Sequence, residues 1–315
     1  MERNILLKDY TTFKIGGPAK YFFIVKNEKD LINAIKFAKE KKLKIFILGG
    51  GSNVLFSDKG FNGLVVKIDF KEIKILENKI MTDSGVELSK FANIVSKNGF
   101  SGFEWAVGIP GATVGGSVFG NAQAFNQKIS DSIKFVKTLD LKTLKIKDFS
   151  KEQCNFSLKN SIFKKNKNLI ILSIVFDLKK GNEKEIKEKV NNFLKHRKKF
   201  HPIEFPSAGS IFVNPEKKIK NKNLLKKYPE FVEFNKKGVI PAGYLIEKCE
   251  LRGKKIGGAQ ISEKHANFII NFKNAKSKDV LDLINLAQKK VKKEFKINLE
   301  IEEQIIKKNI ATLKK

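Results

Sequence analysis

Two glycine runs limit what this chain can fold into more than any other feature. The first, Gly49-Gly50-Gly51-Ser52-Asn53, follows the apolar run Ile45-Phe46-Ile47-Leu48 without a break. The second runs from Gly108 through Ile109-Pro110-Gly111-Ala112-Thr113-Val114-Gly115-Gly116-Ser117 to Gly120-Asn121-Ala122. Glycine loses backbone entropy in any regular element, so such runs are turns where main chain approaches something closely. Consecutive exposed N–H groups in these turns make anion-binding nests, and α/β sheets hold ligands at the C-terminal ends of their strands. The first run lacks G-x-G-x-x-G, because Val54 stands three positions after Gly51; the second has P-loop glycine spacing, but Ser117 occupies the lysine position. A Rossmann site and an NTPase are therefore not supported. Singly, each run is an ordinary tight turn. Together, with their Ser, Thr and Asn donors, they suit a diphosphate held between two subdomains.

Around these turns the periodicity predicts an α+β chain. Tyr21–Val25, Ile45–Leu48 and Leu64–Ile68 are strand-like, and Asn27 opens a helix with Leu31, Ala34, Ile35 and Ala38 on one face. A second unit begins near Asp69. Its helix carries Leu88, Phe91, Ala92 and Val95 and stops at Asn98-Gly99. Strand-like runs Ile133–Leu139 and Leu169–Phe176 follow, then a lysine-rich helix over Glu183–Lys198 with Ile186, Val190 and Phe193 inward. The proline-bearing segment Phe200–Pro206 reads as a linker to a third unit, which includes a long amphipathic helix from Ser277 to Phe295, capped by the Ser277 hydroxyl.

Charge and cysteine content remove several function classes. The chain of 315 residues has a net charge of +30, which invites a polyanion partner. Yet only Arg3, Arg197 and Arg252 are arginines, and the lysines are spread from Lys8 to Lys315 instead of forming a stripe. A solvated lysine surface is the expectation, with no nucleic-acid partner. Cys154 and Cys249 stand far apart, so neither a disulfide scaffold nor a metal site is expected. No apolar run approaches the roughly 20 residues of a membrane span, so a cytosolic protein without membrane insertion is expected.

Several ordered motifs of the chain resemble one family. Thr11-Thr12-Phe13-Lys14-Ile15-Gly16-Gly17-Pro18-Ala19, the Gly-Gly-Gly-Ser-Asn turn and the Gly-Ile-Pro-Gly loop are similar to the UDP-N-acetylenolpyruvoylglucosamine reductases. The likeness continues, in order, through Cys154-Asn155-Phe156, Ser161-Ile162-Phe163-Lys164, Pro206–Pro215, Ala242–Glu247, Ser262–Phe268 and Leu299-Glu300-Ile301-Glu302. The uninterrupted Ser262–Asn267 run resembles the shorter, type II form. The resemblance implies a vanillyl-alcohol-oxidase/PCMH-type FAD-binding fold of two α/β subdomains, 1–68 and 69–200. An α+β substrate domain over 201–302 and a tail over 303–315 complete the implied chain. It also implies non-covalent FAD, NADPH as co-substrate, a UDP-sugar nucleotide substrate and a monomer. The implied activity is reduction of UDP-N-acetylglucosamine enolpyruvate to UDP-N-acetylmuramate in peptidoglycan precursor synthesis. Another FAD-dependent oxidoreductase of the same fold, or a lysine-rich nucleic-acid-binding protein, stands as the alternative.

Carried over residue by residue, the resemblance assigns cofactor binding to Gly49, Gly50, Gly51, Ser52, Asn53, Gly108, Ile109, Pro110, Gly111, Thr113, Gly115, Gly116 and Asn121. Ser210 is the implied proton donor to C2 of the enolpyruvyl group. Glu302 is the implied carboxyl that, protonated through burial, hydrogen-bonds the substrate carboxylate. Spacing alone leaves Glu300 and Glu302 equivalent, with Glu303 on the opposite face. Asn214 and His265 line the implied substrate pocket. The chain also departs from the family pattern. Leu158-Lys159 replaces Tyr-Arg, so Lys159 inherits the electrostatic role without the bidentate fork. Val213 replaces a lysine, the loop Ala122-Gln123-Ala124-Phe125 lacks a glycine and a tyrosine, and Ala112 is an insertion. His196, His201 and His265 are the only histidines, none in the flavin loops, so covalent histidyl attachment is not indicated.

Overall fold

The structure is a computed structural model that describes residues 1–312. Its first sheet orders the strands Glu2–Leu6, Pro18–Val25, Phe61–Ile68 and Ile45–Leu48 side by side. Glu2–Leu6 pairs antiparallel with Pro18–Val25, and the remaining neighbours are parallel. The helix Glu28–Glu40 crosses between parallel strands and buries Leu31, Ala34, Ile35 and Ala38 completely against Val25, Leu64, Val66 and Ile68. Asn27 starts this helix as expected: its Oδ1 accepts from the Asp30 N–H at 2.9 Å, a cap worth about 1 kcal/mol.

The second sheet is antiparallel, in the order Ile146–Ser150, Ile133–Asp140, Leu169–Asp177, Lys79–Asp83, Ile73–Leu76. Against it pack Leu88–Lys97 and Glu183–Phe200, around Phe91, Phe100, Phe103, Trp105 and Phe176. The helix Leu88–Lys97 ends as the sequence predicts, at Asn98 with Gly99 at φ +72°. Ala112 has a use here. Its carbonyl accepts from the Leu88 N–H at 2.8 Å and so satisfies a helix end that no side chain caps.

The third sheet orders Ser207–Ser210, Phe268–Asn271, Ala259–Ile261 and Lys255–Ile256, with the helix Ser277–Phe295 packed on it through Val280, Leu283, Ile284, Ala287 and Val291. The cap of that helix differs from expectation. Ser277 lies inside the first turn, and its N–H and hydroxyl both donate to the carboxylate of Asp58, at 2.9 and 2.6 Å. A carboxylate from another part of the chain outcompetes the local hydroxyl, because it carries charge to the positive end of the helix. Residues 304–312, read from the sequence as part of a tail, instead pair. Gln304–Lys307 runs parallel to Val54–Phe56 and turns back through Ile310–Thr312. Residues 313–315 of that expected tail lie outside the described residues.

Several contacts tie the third sheet to the first. Thr12 Oγ1 donates to Ser207 O at 2.7 Å, Asn271 Nδ2 donates to Phe13 O at 3.1 Å, and the Gln304 N–H donates to Asn53 O at 3.1 Å. The Thr12 N–H also donates to Gly51 O at 3.1 Å, and Asn53 ends the first glycine turn, so that turn and the C-terminal part are held in one orientation.

Candidate active site

The two glycine turns meet. An L side chain at Gly50 would place its Cβ 1.5 Å from Gly111 O, and one at Gly49 would place it 2.7 Å from Thr113 Oγ1. Only backbone fits between them. Gly51 adopts φ +69°, with Tyr10 O 2.2 Å from where a Cβ would lie, so it is closed to side chains on both counts. Thr113 Oγ1 accepts from the Gly116 N–H at 3.3 Å, which starts the short helix Val114–Phe119. The Gly115 N–H donates to Ser84 O at 2.8 Å, and the Gly108 N–H to Ser89 Oγ at 2.8 Å. Ile109 packs on the second core, whereas Pro110 is exposed and Ser52 and Asn53 are half-buried at the rim.

Two buried oxygens at the second glycine run have no partner among the described residues: Ser84 Oγ, beside Gly115, and Asn121 Oδ1. Asn121 is 2% exposed and uses its Nδ2 on Ser157 O at 2.9 Å, which leaves its carbonyl free. Buried polar atoms are rarely left unmade without cause. A side-chain-free backbone surface with unpaired oxygens fits a group with its own donors and a chain of anionic oxygens, as a dinucleotide has.

A second cluster lies beside the cradle. Glu302 reaches it through backbone pairing: its N–H donates to Ile211 O at 2.8 Å, and the Val213 N–H donates to Glu300 O at 2.9 Å. Glu302 therefore lies across from Ile211, one residue beyond Ser210, the last residue of its strand. Asn53 Nδ2 lies 3.5 Å from Glu302 O, which brings the first glycine turn to the same place. Lys159 comes from a turn of the second subdomain, at φ +51°, and its Nζ sits 2.8 Å from Glu302 Oε1 with both side chains under one-fifth exposed. Ser210 Oγ makes no hydrogen bond among the described residues, and Gly209 before it has open space where a Cβ would be. Lys159 and Glu302, 143 residues apart in sequence, are thus brought together, one residue along the backbone from Ser210.

Three details depart from the sequence reading. Glu302 is ion-paired with Lys159, where the resemblance implied a carboxyl protonated through burial. The acid that burial pushes up, to about 8, is its neighbour Glu303, which is 4% exposed and has neither carboxylate oxygen partnered. The alternation predicted for an extended strand does place Glu302 and Glu303 on opposite sides, but it carries no sign that the second side is interior. The third detail is Lys164, whose Nζ donates to Lys159 O at 2.9 Å. Burial lowers its ammonium, Glu302 and Glu300 oppose that, and Lys159 adds to it. Lys164 was visible in the Ser161–Lys164 element, but nothing in its spacing linked it to Glu302.

The implied pocket residues have partners. Asn214 Oδ1 accepts from the Ala242 N–H at 2.9 Å and so begins the helix Ala242–Lys248. His265 Nδ1 accepts from the Asn267 N–H at 3.2 Å, which leaves Nε2 as the protonated nitrogen of the neutral ring. Burial lowers the His265 imidazole, and burial with nearby Arg197 lowers His201 to about 4. All three histidines form one chain of rings, His196 to His201 at 6.0 Å and His201 to His265 at 5.7 Å. His196 also meets Phe125 of the second loop at 5.0 Å. No described helix is long and apolar enough to cross a membrane.

Comparison with known proteins gives the same picture over most of the chain. A family model described as the C-terminal domain of UDP-N-acetylenolpyruvoylglucosamine reductase matches residues 201–306, and one described as an FAD binding domain matches residues 19–145. The chain is 38% identical over 307 residues to the UDP-N-acetylenolpyruvoylglucosamine reductase of Clostridium novyi, covering 97% of this chain and 92% of that one. To the protein of the same name from Borreliella burgdorferi it is 41% identical over 309 residues, with 95% and 92% covered. The crystal structure of UDP-N-acetylenolpyruvylglucosamine reductase from Thermus caldophilus superposes with a TM-score of 0.76 at 29% identity, covering 96% of this chain and 98% of that one.

Proposed function

The chain belongs to the UDP-N-acetylenolpyruvoylglucosamine reductase family, and on that premise we propose how its own residues carry out the family's reaction. The reaction is the FAD-dependent reduction of the enolpyruvyl group of UDP-N-acetylglucosamine enolpyruvate, in peptidoglycan precursor synthesis. When bound, FAD supplies hydride transfer to C3 of that group, the hydride coming in our reading from NADPH. The rest falls to the protein. A proton must reach C2, and the charge that spreads onto the substrate carboxylate in between must be stabilised.

Lys159 is the cation for that carboxylate. In the free protein its ammonium is neutralised by Glu302 at 2.8 Å. The substrate carboxylate competes for the same ammonium, and the exchange releases the Glu302 side chain from its ion pair, free to turn toward the substrate. Lys164, held on Lys159 O, keeps a second positive charge within reach of both carboxylates. Ser210 gives its hydroxyl proton to C2. Its unengaged Oγ and the space at Gly209 leave room for a ligand there. The glycine turns, with Ser52, Asn53, Thr113 and Asn121, hold the cofactor's diphosphate, and Asn214 and His265 border the sugar-nucleotide side. In this reading subdomains 1–68 and 69–200 hold FAD, domain 201–302 closes over substrate, and the protein is a cytoplasmic monomer.

The observation that carries the proposal is the convergence of Lys159, Glu302 and the Ser210 strand beside the first glycine turn. The test is NADPH oxidation with and without the enolpyruvyl sugar nucleotide. Turnover stimulated by that substrate, and lost in Ser210→Ala and Glu302→Gln, supports it. Full turnover in both variants removes the site assignment.

A further inference from the structure

We propose that Lys67, with Lys71 beside it, is the cationic floor of the cofactor's diphosphate site, and that Lys67 also sets the orientation of the first glycine turn. The inference rests on the reading that the cradle holds FAD. Lys67 is the next-to-last residue of the strand Phe61–Ile68 and is paired in register with Leu48, immediately before Gly49. That is the C-terminal edge of the parallel strands, where ligands of α/β sheets sit. Its Nζ donates to Gly49 O at 2.6 Å. The Gly49 carbonyl and the Gly50 N–H belong to one planar unit and point in opposite directions. An ammonium that fixes the oxygen therefore aims the Gly50 N–H the other way.

Charge makes the lysine more than a pin. An ammonium has three donors, and the bond to Gly49 is the only one Lys67 makes among the described residues. It is half-buried, and the nearby carboxylate of Asp69 is taken by Lys71 at 2.9 Å. Burial and the Lys71 charge both lower the Lys67 ammonium below the usual lysine range, with Asp69 offsetting them only in part. Lys71 in turn donates to Gly85 O at 3.2 Å, next to Ser84, whose carbonyl holds the Gly115 N–H. Lys67 thus touches the backbone of the first loop, and Lys71 touches Gly85, one residue from the carbonyl that holds the second. A desolvated cation without a counter-anion is costly, and a diphosphate lying between those loops removes the cost.

The experiment measures flavin release from the purified holoenzyme, by recovery of flavin fluorescence on dilution, at low and at high salt. Lys67→Met is expected to weaken FAD retention about 30-fold at low salt, the loss of one charge-assisted hydrogen bond. That gap should narrow at high salt, since screening already weakens the wild-type contact. Lys67→Arg should retain FAD within about fivefold, and Lys71→Met should fall between the two. Release within threefold of wild type in Lys67→Met overturns the proposal. So does a loss of equal size at both salt concentrations, which is the signature of a lysine that only pins Gly49. If Lys67→Met does not fold, Lys71→Met decides: unchanged release and unchanged salt dependence overturn the proposal. A wild-type protein that carries no flavin would instead strike down the cradle reading itself, and is told apart by its missing absorbance.

Discussion

In the cradle the closest approach is between two backbones: a Cβ at Gly50 would sit 1.5 Å from the Gly111 carbonyl oxygen. In the reactive cluster it is between two charged side chains, Lys159 and Glu302, at 2.8 Å. The first site is defined by atoms that must be missing, the second by atoms that must arrive from three distant segments. The two should therefore fail differently. Damage to the cradle removes the flavin, and damage to the cluster leaves a yellow protein that cannot reduce substrate.

The largest effect expected is that of Gly50→Val. The added side chain has nowhere to go but into Gly111, so the loops must separate, and the protein should purify without flavin absorbance at 450 nm or so, a loss of affinity of 100-fold or more by order of magnitude. Gly120→Ala is the control from the same run. Gly120 is half-buried and its Cβ would meet only Gly116 O, at an ordinary 3.8 Å, so flavin content should stay near wild type. A flavin-replete Gly50→Val protein would erase the distinction drawn between the two regions.

Next comes the cluster. Ser210→Ala should lower kcat by roughly 10²–10⁴, the usual range for a positioned proton donor, with flavin content and melting temperature unchanged. Lys159→Ala should raise KM for the sugar nucleotide and lower kcat together, while Lys159→Arg recovers most of both, because the charge matters before the fork does. Steady-state kinetics on proteins of matched flavin content separate these outcomes. Loss of flavin in Ser210→Ala would mean that the cluster and the cradle are one structural unit.

The same contrast explains what the sequence made readable. The cradle is local: glycines, a strand before them and hydroxyl or amide residues after them are contiguous, so residues 49–53 and 108–121 announce themselves by spacing. Helices such as Glu28–Glu40 and Leu88–Lys97 are legible for the same reason, since cap and apolar face lie within one stretch. The cluster is not local. Motif resemblance could name Ser210, Lys159 and Glu302, but not that Glu302 would be ion-paired, because the partner lies 143 positions away. Glu303 was harder still. A carboxylate in an acidic run reads as solvated, and only the return of Gln304–Lys307 onto Val54–Phe56 encloses it. Asp58 as the cap of Ser277 is a third such case, with two domains needing to dock before the bond exists.

Glu303 supplies a prediction of moderate size. Burial raises its carboxyl from the ordinary 4.5 to about 8, so the folded protein prefers the protonated form. That contribution is full below about pH 4.5 and is lost as pH rises through about 8, on the order of several kcal/mol in all. Urea midpoints should fall between pH 5 and pH 8.5 in wild type, and Glu303→Gln should lose that component of the slope. An equal slope in both proteins would mean the carboxyl is not enclosed in solution.

The smallest effect probes the tie between the two regions. Asp58 accepts both the N–H and the hydroxyl of Ser277, so Asp58→Ala removes a helix cap and a link between the first sheet and the C-terminal domain. As a cap alone it should cost about 0.5–2 kcal/mol, read as a lower melting temperature. Ser277→Ala should cost less, because its N–H still finds the Asp58 carboxylate. The link adds something a cap would not. The Ser210 strand and the helix Ser277–Phe295 belong to the same domain, and Thr12, Asn271 and Gln304 also tie that domain to the first glycine turn. With those three contacts intact, Asp58→Ala should leave kcat within about twofold while KM for the sugar nucleotide rises modestly, since a looser domain must be ordered when substrate binds. A kcat that falls as far as in Ser210→Ala would show that this one carboxylate, and not the shared set of contacts, holds the proton donor against the cradle.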